Sequence, residues 1–289
     1  MSSPRGILAD HPRLLTILAG LLFSTAAPVS RFVSLGPLGI SFFRCLVGLF
    51  ALPLFAKGFG CRELKAFRIS DFIGGTAYAA TSLSFFIALN YTTAANATVL
   101  FQTSPVFIIP LGYLLLRERS DRWDYAAIAL MLTGIILCFR EGLNTDGSIG
   151  DLAALGGALA FSLMNIRMRH VDREGKVRML MAGNFLLVLI TMPFLFGTVI
   201  SGRDILLSGS LGVVHMALPF LLYGRALEKL RALEGAVYKN AESVFAPLWV
   251  GLLVKEVPGP WTIGGFLLIM GALVLRAWAP TPLHRSSSA

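Results

Sequence analysis

Charge is what this chain has least of. Only 14% of its 289 residues are Asp, Glu, Lys or Arg and 55% are hydrophobic, against about 25% and about 45–50% in an average soluble protein. A mean hydropathy of +0.73 would cover a soluble globule with apolar surface, which aggregation punishes. Cysteine is also scarce. Cys45, Cys61 and Cys138 are an odd number with no close pair, so neither a disulfide framework nor a zinc site is implied. A phosphate-cradling glycine loop, an HExxH pair, a nucleophile elbow and an aspartate-rich metal cluster are all missing. ATP coupling and the commoner hydrolytic chemistries therefore have no residues to run on, and the expectation is a protein that is not an enzyme and carries no cofactor or metal.

What is present is a series of long apolar runs with the charged residues gathered in short patches between them, the layout of a polytopic membrane protein. The net charge of +9 and pI near 9.9 do not read as nucleic-acid binding, because no basic stripe is interleaved with exposed aromatics. Crossing a hydrocarbon core takes about 20 helical residues, and ten runs approach that length. They are Leu14–Val33, Leu38–Phe55, Phe72–Leu89, Ala94–Leu116, Trp123–Phe139, Leu152–Met168, Met179–Phe196, Ile205–Ala226, Ala236–Leu253 and Trp261–Trp278. The first, behind Arg5 and Arg13, resembles a signal peptide, but Ser24–Ala27 leads into more membrane-like sequence, so it reads as a retained helix.

Ten spans make the loops alternate sides, and Lys and Arg should collect on the cytoplasmic one. With the amino terminus inside, Arg31, Arg140, Arg203 and Lys255 fall outside or at an outer helix end, Arg44 and Lys239 fall within helices, and every other basic residue is cytoplasmic or, like Arg167, Arg225 and Arg276, at a cytoplasmic helix end. Both termini are then cytoplasmic in a multi-pass protein of a bacterial-type inner membrane. The lipid bilayer and a small-molecule substrate are its expected partners, with no nucleic acid and a monomeric state.

An internal repeat accompanies the spans. A shift of 138 positions places Leu21, Phe23, Ser24 and Arg31 on Leu159, Phe161, Ser162 and Arg169. The same shift places Ala94, Val99, Val106, Phe107, Leu114, Glu118 and Trp123 on Ala232, Val237, Val244, Phe245, Leu252, Glu256 and Trp261. Residues 1–145 and 146–289 thus form two five-helix repeats within one transmembrane transporter domain. An odd number of spans per repeat inverts the second relative to the first. The fold class is an all-α integral membrane protein of ten transmembrane helices (5+5), an architecture common among secondary transporters, which hold substrate near the midplane between the halves.

The motifs Pro37-Leu38-Gly39-Ile40-Ser41-Phe42-Phe43-Arg44, Ala88-Leu89-Asn90-Tyr91-Thr92-Thr93-Ala94-Ala95-Asn96-Ala97, Ser104-Pro105-Val106-Phe107 and Leu116-Arg117-Glu118-Arg119 have partial counterparts in Gly150-Asp151-Leu152 and Lys255-Glu256. On these the chain resembles the EamA family of the drug/metabolite transporter superfamily over nearly its whole length. The resemblance implies the fold and the transport class, with amino acids, other metabolites and drugs as substrates, and extends to the amino-acid exporters of that family. One departure stands out. Ser243 occupies the position matching Pro105, and Pro247 follows one turn later, which predicts a displaced kink in the ninth helix.

Candidate binding residues follow from polarity in apolar surroundings. In Tyr238-Lys239-Asn240-Ala241-Glu242, an ammonium and a carboxylate share one helix face. An ionisable group at that depth costs at least about 2.5–3.5 kcal/mol unless paired or hydrated. Either Lys239 receives a substrate carboxylate while Glu242 takes the amine or a proton, or the two form an internal pair that locks the helix to a neighbour, or Lys239, one turn into the helix, snorkels to the cytoplasmic interface. The repeat brings Phe101 and Gln102 near Lys239 and Asn240, with Pro105 allowing a kink beside them. Tyr78, Thr81, Ser82 and Phe85 form a polar and aromatic stripe that either faces the cavity or packs between helices, where Gly74, Gly75, Ala79 and Ala80 invite close approach. His215, Pro219 and Tyr223 recur at intervals of four, and a histidine can relay protons. Asn165 and Asn184 read as interhelical hydrogen bonds. Ser24 and Ser162 either bond their own backbone or line the cavity. Arg44, given the resemblance, reads as structural or gating, and Glu118 and Glu256 as surface pairs or helix-end anchors.

Together these features favour a secondary carrier that moves a small amphipathic metabolite, an aromatic or hydrophobic amino acid, outward by alternating access. Another metabolite or drug as substrate is the alternative, and a polytopic membrane enzyme the reading from another class. A channel would need a continuous polar lining, which these helices lack.

Overall fold

The computed structural model describes residues 11–30, 32–56, 58–92, 94–140, 148–254 and 260–279, and no strand occurs among them. The helices are α1 (Pro12–Phe23), α2 (Ala26–Ser30), α3 (Pro37–Phe55), a short α4 (Cys61–Lys65), α5 (Ile69–Tyr91), α6 (Ala94–Phe101), α7 (Ser104–Leu111) and α8 (Arg122–Phe139). They continue as α9 (Ser148–His170), α10 (Arg173–Thr191), α11 (Gly202–Leu211), α12 (Leu218–Ala226), α13 (Ala232–Lys239), α14 (Glu242–Val254) and α15 (Pro260–Trp278). Six stretches are long and apolar enough to cross a membrane: Pro12–Ser30, Pro37–Phe55, Asn96–Leu116, Ile149–His170, Arg173–Leu195 and Gly202–Ala226. Helices α5, α8 and α15, and the pair α13 and α14, occupy the third, fifth, tenth and ninth runs read from the sequence. Leu54, Ile73, Leu152, Leu206, Leu252 and Leu267 are largely exposed on the outer faces, an apolar surface suited to lipid.

Several runs that read as continuous are interrupted, each for a local reason. After α1 the hydroxyls of Ser24 and Thr25 donate to the carbonyls of Leu21 and Leu22 at 2.6 and 2.7 Å, competing with the helix ladder. Between α11 and α12, Gly212–Ala217 winds as π-helix just ahead of Pro219, which cannot donate to the carbonyl four residues back. Between α6 and α7 the turn at Gln102 and Thr103 precedes Pro105, at the start of the new helix, where its missing N–H is an orphan in any case.

The ninth run corrects the expectation of a displaced kink. Its break lies at Asn240 and Ala241, ahead of Pro247, with α14 continuous from Glu242 to Val254. The two turns correspond. Thr103 and Ala241 donate to Leu100 and Tyr238, and Val106 and Val244 to Thr103 and Ala241, each bond spanning three residues instead of four. A twofold axis brings a residue against its own mate only where the axis passes, and here the Asn240 amide approaches the Gln102 carbonyl at 3.4 Å across the 138-residue offset.

Packing between the repeats follows the same relation. Helix α8 packs on α15, α3 on α10, and the α5–α9 contact is matched by α12–α1. Close approach is set by small residues: a Cβ on Gly75 would stand 2.7 Å from the Gly183 nitrogen. Asp71 meets Arg178 at 2.8 Å while Gly75 and Tyr78 meet Gly183, so α5 and α10 run in the same direction. Gly150 lies at Thr92 and Gly157 at Ser84, so α9 runs against them.

Candidate functional site

The most polar of the interruptions is the one between α13 and α14. Lys239 is the last residue of α13 and Glu242 the first of α14, so a cation sits at a helix C-terminus and an anion at an N-terminus, the arrangement the peptide dipoles favour. Their Nζ and Oε2 atoms are 2.7 Å apart, with the Lys239 side chain 7% and that of Glu242 24% exposed. The sequence allowed this internal pair as one of three readings, and it is formed.

Three aromatic rings surround the ammonium. Its Nζ lies 5.6 Å from the ring centre of Phe23, 5.9 Å from Phe101 and 5.1 Å from Phe161, within cation–π range. Phe23 and Phe161 occupy equivalent positions of the two repeats, and Phe101 is the mate of Lys239 itself. The cage is therefore built around the axis that relates the breaks. Gly20 makes this possible from α1: a Cβ there would stand 2.9 Å from the Lys239 carbonyl oxygen and 3.2 Å from the Glu242 nitrogen.

Around this centre the polar atoms bridge the repeats. The Gln102 amide donates to Ser243 Oγ at 2.8 Å, and the Asn240 amide also reaches Met131 Sδ at 3.1 Å. Gln102 Oε1 is buried without a partner. Phe85 packs its ring on Phe101 at 5.2 Å, and Phe101 on Phe161 at 6.0 Å. His215 places Nδ1 2.8 Å from the Phe23 carbonyl oxygen and its ring edge-on to Phe23.

Other candidates fall elsewhere. The Thr81 hydroxyl is spent on the Ala77 carbonyl of its own helix at 2.8 Å. Tyr78 is buried edge-on to Phe220, with Ser82 beside its hydroxyl. Tyr223 accepts a hydrogen bond from the Asn165 amide, joining α12 to α9, and Asn184 donates both to the Leu180 carbonyl of its own helix and across to Met216 Sδ at 3.4 Å, so both asparagines bridge helices as expected. Tyr238 turns toward Arg13, whose guanidinium carbon lies 5.9 Å from its ring. Ser162 donates to the carbonyls of Ala158 and Ser104, whereas Ser24 accepts from the Trp249 indole at 2.9 Å. Arg44 reaches Ser41 Oγ at 3.5 Å and the Phe86 ring at 5.8 Å.

A second ionic cluster closes the end of the bundle at which α1, α8 and α13 begin. Asp124 is fully buried between Arg276 and Arg231, each at 2.9 Å, and Glu234 receives Arg13 at 3.2 Å. Glu118 is a buried anchor for the start of α13, accepting from the Ala232 N–H at 3.1 Å and facing Arg169 at 3.5 Å. Of the two expected roles, surface pair or helix-end anchor, these contacts are of the anchoring kind. Glu256 lies outside the described residues. At the opposite end, Asp151 accepts from Asn96 at 3.2 Å and from Thr92 at 2.7 Å. Asn96 and Asp151 are the repeat mates of Glu234 and Arg13, so equivalent contacts hold both ends.

Sequence reasoning missed Phe23 and Phe161 as cage residues, although their shared repeat position was the available signal. It also missed Asp124, Arg231, Glu234 and Arg276, whose partners lie more than 30 residues away or in another helix, beyond any local pattern.

Comparison with known proteins agrees with this architecture. The model of the EamA-like transporter family matches twice, over residues 13–140 and 148–277. Solute carrier family 35 member G1 of Mus musculus is 26% identical, over 90% of this chain and 77% of its own length. The pseudopaline exporter CntI of Pseudomonas aeruginosa is 24% identical, over 90% and 94%. A crystal structure with 19% identity superposes with a TM-score of 0.80, covering 92% of this chain and 96% of the other, which shows the fold.

Proposed function

Taking as premise that the chain belongs to the EamA-like transporter family, we propose that it is a secondary carrier which exports an aromatic or hydrophobic amino acid across the cytoplasmic membrane. In this reading ten spans form two inverted five-helix repeats, 1–145 and 146–289, and both termini are cytoplasmic. The basic patches place the Asp124 cluster on the cytoplasmic side and the Asp151 contacts on the outer side. Alternating access consists of releasing one set of contacts while the other holds. The relative that exports pseudopaline supports the outward direction.

The observation that carries the substrate class is the Lys239–Glu242 pair at the axis. Separating two buried charges leaves each uncompensated unless something replaces both partners. A zwitterion does so, its carboxylate on Lys239 and its ammonium on Glu242, with no change in net charge. The rings of Phe23, Phe101, Phe161 and Phe85 suit an apolar or aromatic side chain. Asn240 and Gln102 hold the two breaks together beside the pair, and His215 packs against Phe23 at its edge.

The test is counterflow in proteoliposomes, with each batch preloaded with one amino acid and a labelled trace of the same compound outside. Accumulation of phenylalanine, tyrosine, leucine or a close relative is the expected result. If none accumulates while a control carrier works in the same lipid, the amino-acid reading falls, and nucleosides, organic acids and cationic drugs form the next panel.

A further inference from the structure

The sequence places two cations within apolar helix interiors, Lys239 and Arg44, and their surroundings differ. Lys239 has Glu242 at 2.7 Å. Elsewhere Arg178 has Asp71 at 2.8 Å, Arg276 has Asp124 at 2.9 Å and Lys176 has Glu228 at 3.5 Å. Among the described residues no carboxylate stands within ion-pair distance of Arg44. Its Nε is shut from solvent without a hydrogen-bond partner. Its Nη2 reaches only the Ser41 hydroxyl at 3.5 Å, and that hydroxyl also lies 3.7 Å from Cys45 Sγ.

The position is as informative as the missing partner. Helices α3 and α5 both pack against α10, and Arg44 extends from α3 to the face of Phe86 on α5, 5.8 Å from the ring centre. The residue as a whole is half-buried, although its Nε is shut from solvent. Aromatic contacts lead from there to the Lys239 cage. Tyr78 lies beside Arg44, Tyr78 packs on Phe220 at 5.4 Å, and Phe220 on Phe23 at 4.9 Å.

We propose that Arg44 is an anion-binding station of this carrier, separate from the Lys239–Glu242 pair, whose guanidinium receives a carboxylate of the molecule passing between α3 and α5. A guanidinium offers its Nε and one Nη side by side, at a spacing that matches the two oxygens of a carboxylate. On Arg44 the Nε of that edge has no hydrogen-bond partner and Nη2 holds only the long 3.5 Å contact to Ser41 Oγ, which an arriving carboxylate replaces, leaving the Ser41 hydroxyl to donate a further bond. Phe86 stacks on the guanidinium, fixing its plane and offering an apolar surface to whatever adjoins the carboxylate. With Lys239 and Glu242 neutralising each other, Arg44 is left as a cation without an ion-pair partner among the described residues, which favours a first contact with the carboxylate of the passing amino acid. The inference deepens the proposed carrier function by assigning where that group rests.

The test reads Arg44 directly in the purified full-length protein. Phenylglyoxal modifies accessible guanidinium groups, and peptide mass spectrometry reports the rate at Arg44. Benzoate, its neutral analogue benzamide and the phosphorus oxyanion phenylphosphonate serve as probes. Benzoate should slow modification of Arg44 by about tenfold while benzamide leaves it nearly unchanged, and Lys239→Ala should keep the protection. The station is overturned if Arg44 resists the reagent in the free protein, if benzoate and benzamide protect alike, or if protection disappears in Lys239→Ala. Stronger protection by phenylphosphonate than by benzoate would overturn the carboxylate assignment. Because the wild-type protein supplies these readings, a poorly folding Arg44→Gln does not decide the matter. Benzoate protection without amino-acid counterflow would sink the proposed substrate alone, and counterflow without protection would sink the station alone.

Discussion

The two ends of the bundle are held by equivalent contacts of unequal strength. At one end Arg13 meets Glu234 at 3.2 Å, and Arg276 and Arg231 enclose the buried Asp124. At the other, the repeat mates of Arg13 and Glu234 are Asp151 and Asn96, which meet through an amide hydrogen bond of 3.2 Å, with Thr92 also donating to Asp151 at 2.7 Å. Duplication has kept the place of the contact and changed its chemistry. Breaking an ion cluster removed from water leaves charges uncompensated, at about 3–5 kcal/mol, whereas losing a hydrogen bond to the Asp151 carboxylate costs about 1.5–3 kcal/mol net. The end with the cluster should therefore open less readily, and under the proposed alternating access the resting state would open toward the opposite side.

The two helix breaks differ in the same manner. Both tighten the ladder at equivalent residues, yet the first carries Phe101, Gln102 and Pro105 and the second Lys239, Asn240 and Ser243. A shared backbone device thus supports a charged site in one repeat only.

The largest effect should come from Asp124→Asn, which removes the carboxylate from the fully buried Arg276. It should cost about 3–5 kcal/mol, read as a lower Tm in detergent, and should make cysteines placed near Arg231 more reactive from the basic side. Unchanged reactivity there would remove the cluster from any gating role.

Next comes Lys239→Ala, which strands Glu242. Because Glu242 is 24% exposed, a loss of about 2–3 kcal/mol is expected, below the range for fully buried pairs. Replacing both residues, Lys239→Met with Glu242→Met, should restore Tm without restoring counterflow. Recovery of transport in the double variant would make the pair purely structural.

Gly20→Ala should cost about 1–3 kcal/mol, since its new methyl would press on the Lys239 carbonyl oxygen at 2.9 Å. Counterflow and Tm should fall together, and an unaffected protein would show that α1 stands off the break.

The smallest change is expected from Asp151→Asn, about 1 kcal/mol. Cysteine labelling from the non-basic side should rise slightly. A drop in Tm as large as that of Asp124→Asn would erase the difference between the ends.

Helix positions and the repeat were legible in the sequence because apolar runs and a constant offset are local or additive signals. Pro105 marked the first break for the same reason. The second was misplaced toward Pro247 because its cause is distributed: a hydrogen-bonded Asn240, a charge pair suited to helix ends, and a glycine on another helix. Lys239 and Glu242 stood out as charges in apolar surroundings, while Phe23 and Phe161 were hidden among the many phenylalanines of the chain. Thr81 read as a site residue from its spacing, yet its hydroxyl bonds its own helix, which spacing does not encode.

The most direct measurement of the central claim compares counterflow of the transported amino acid with that of its amide and its N-acetyl derivative. If the substrate replaces both members of the Lys239–Glu242 pair, removing either charge from the substrate should lower transport by roughly a hundredfold. Transport of either analogue at the rate of the parent would contradict the account, because the pair would then have no part in recognising a zwitterion.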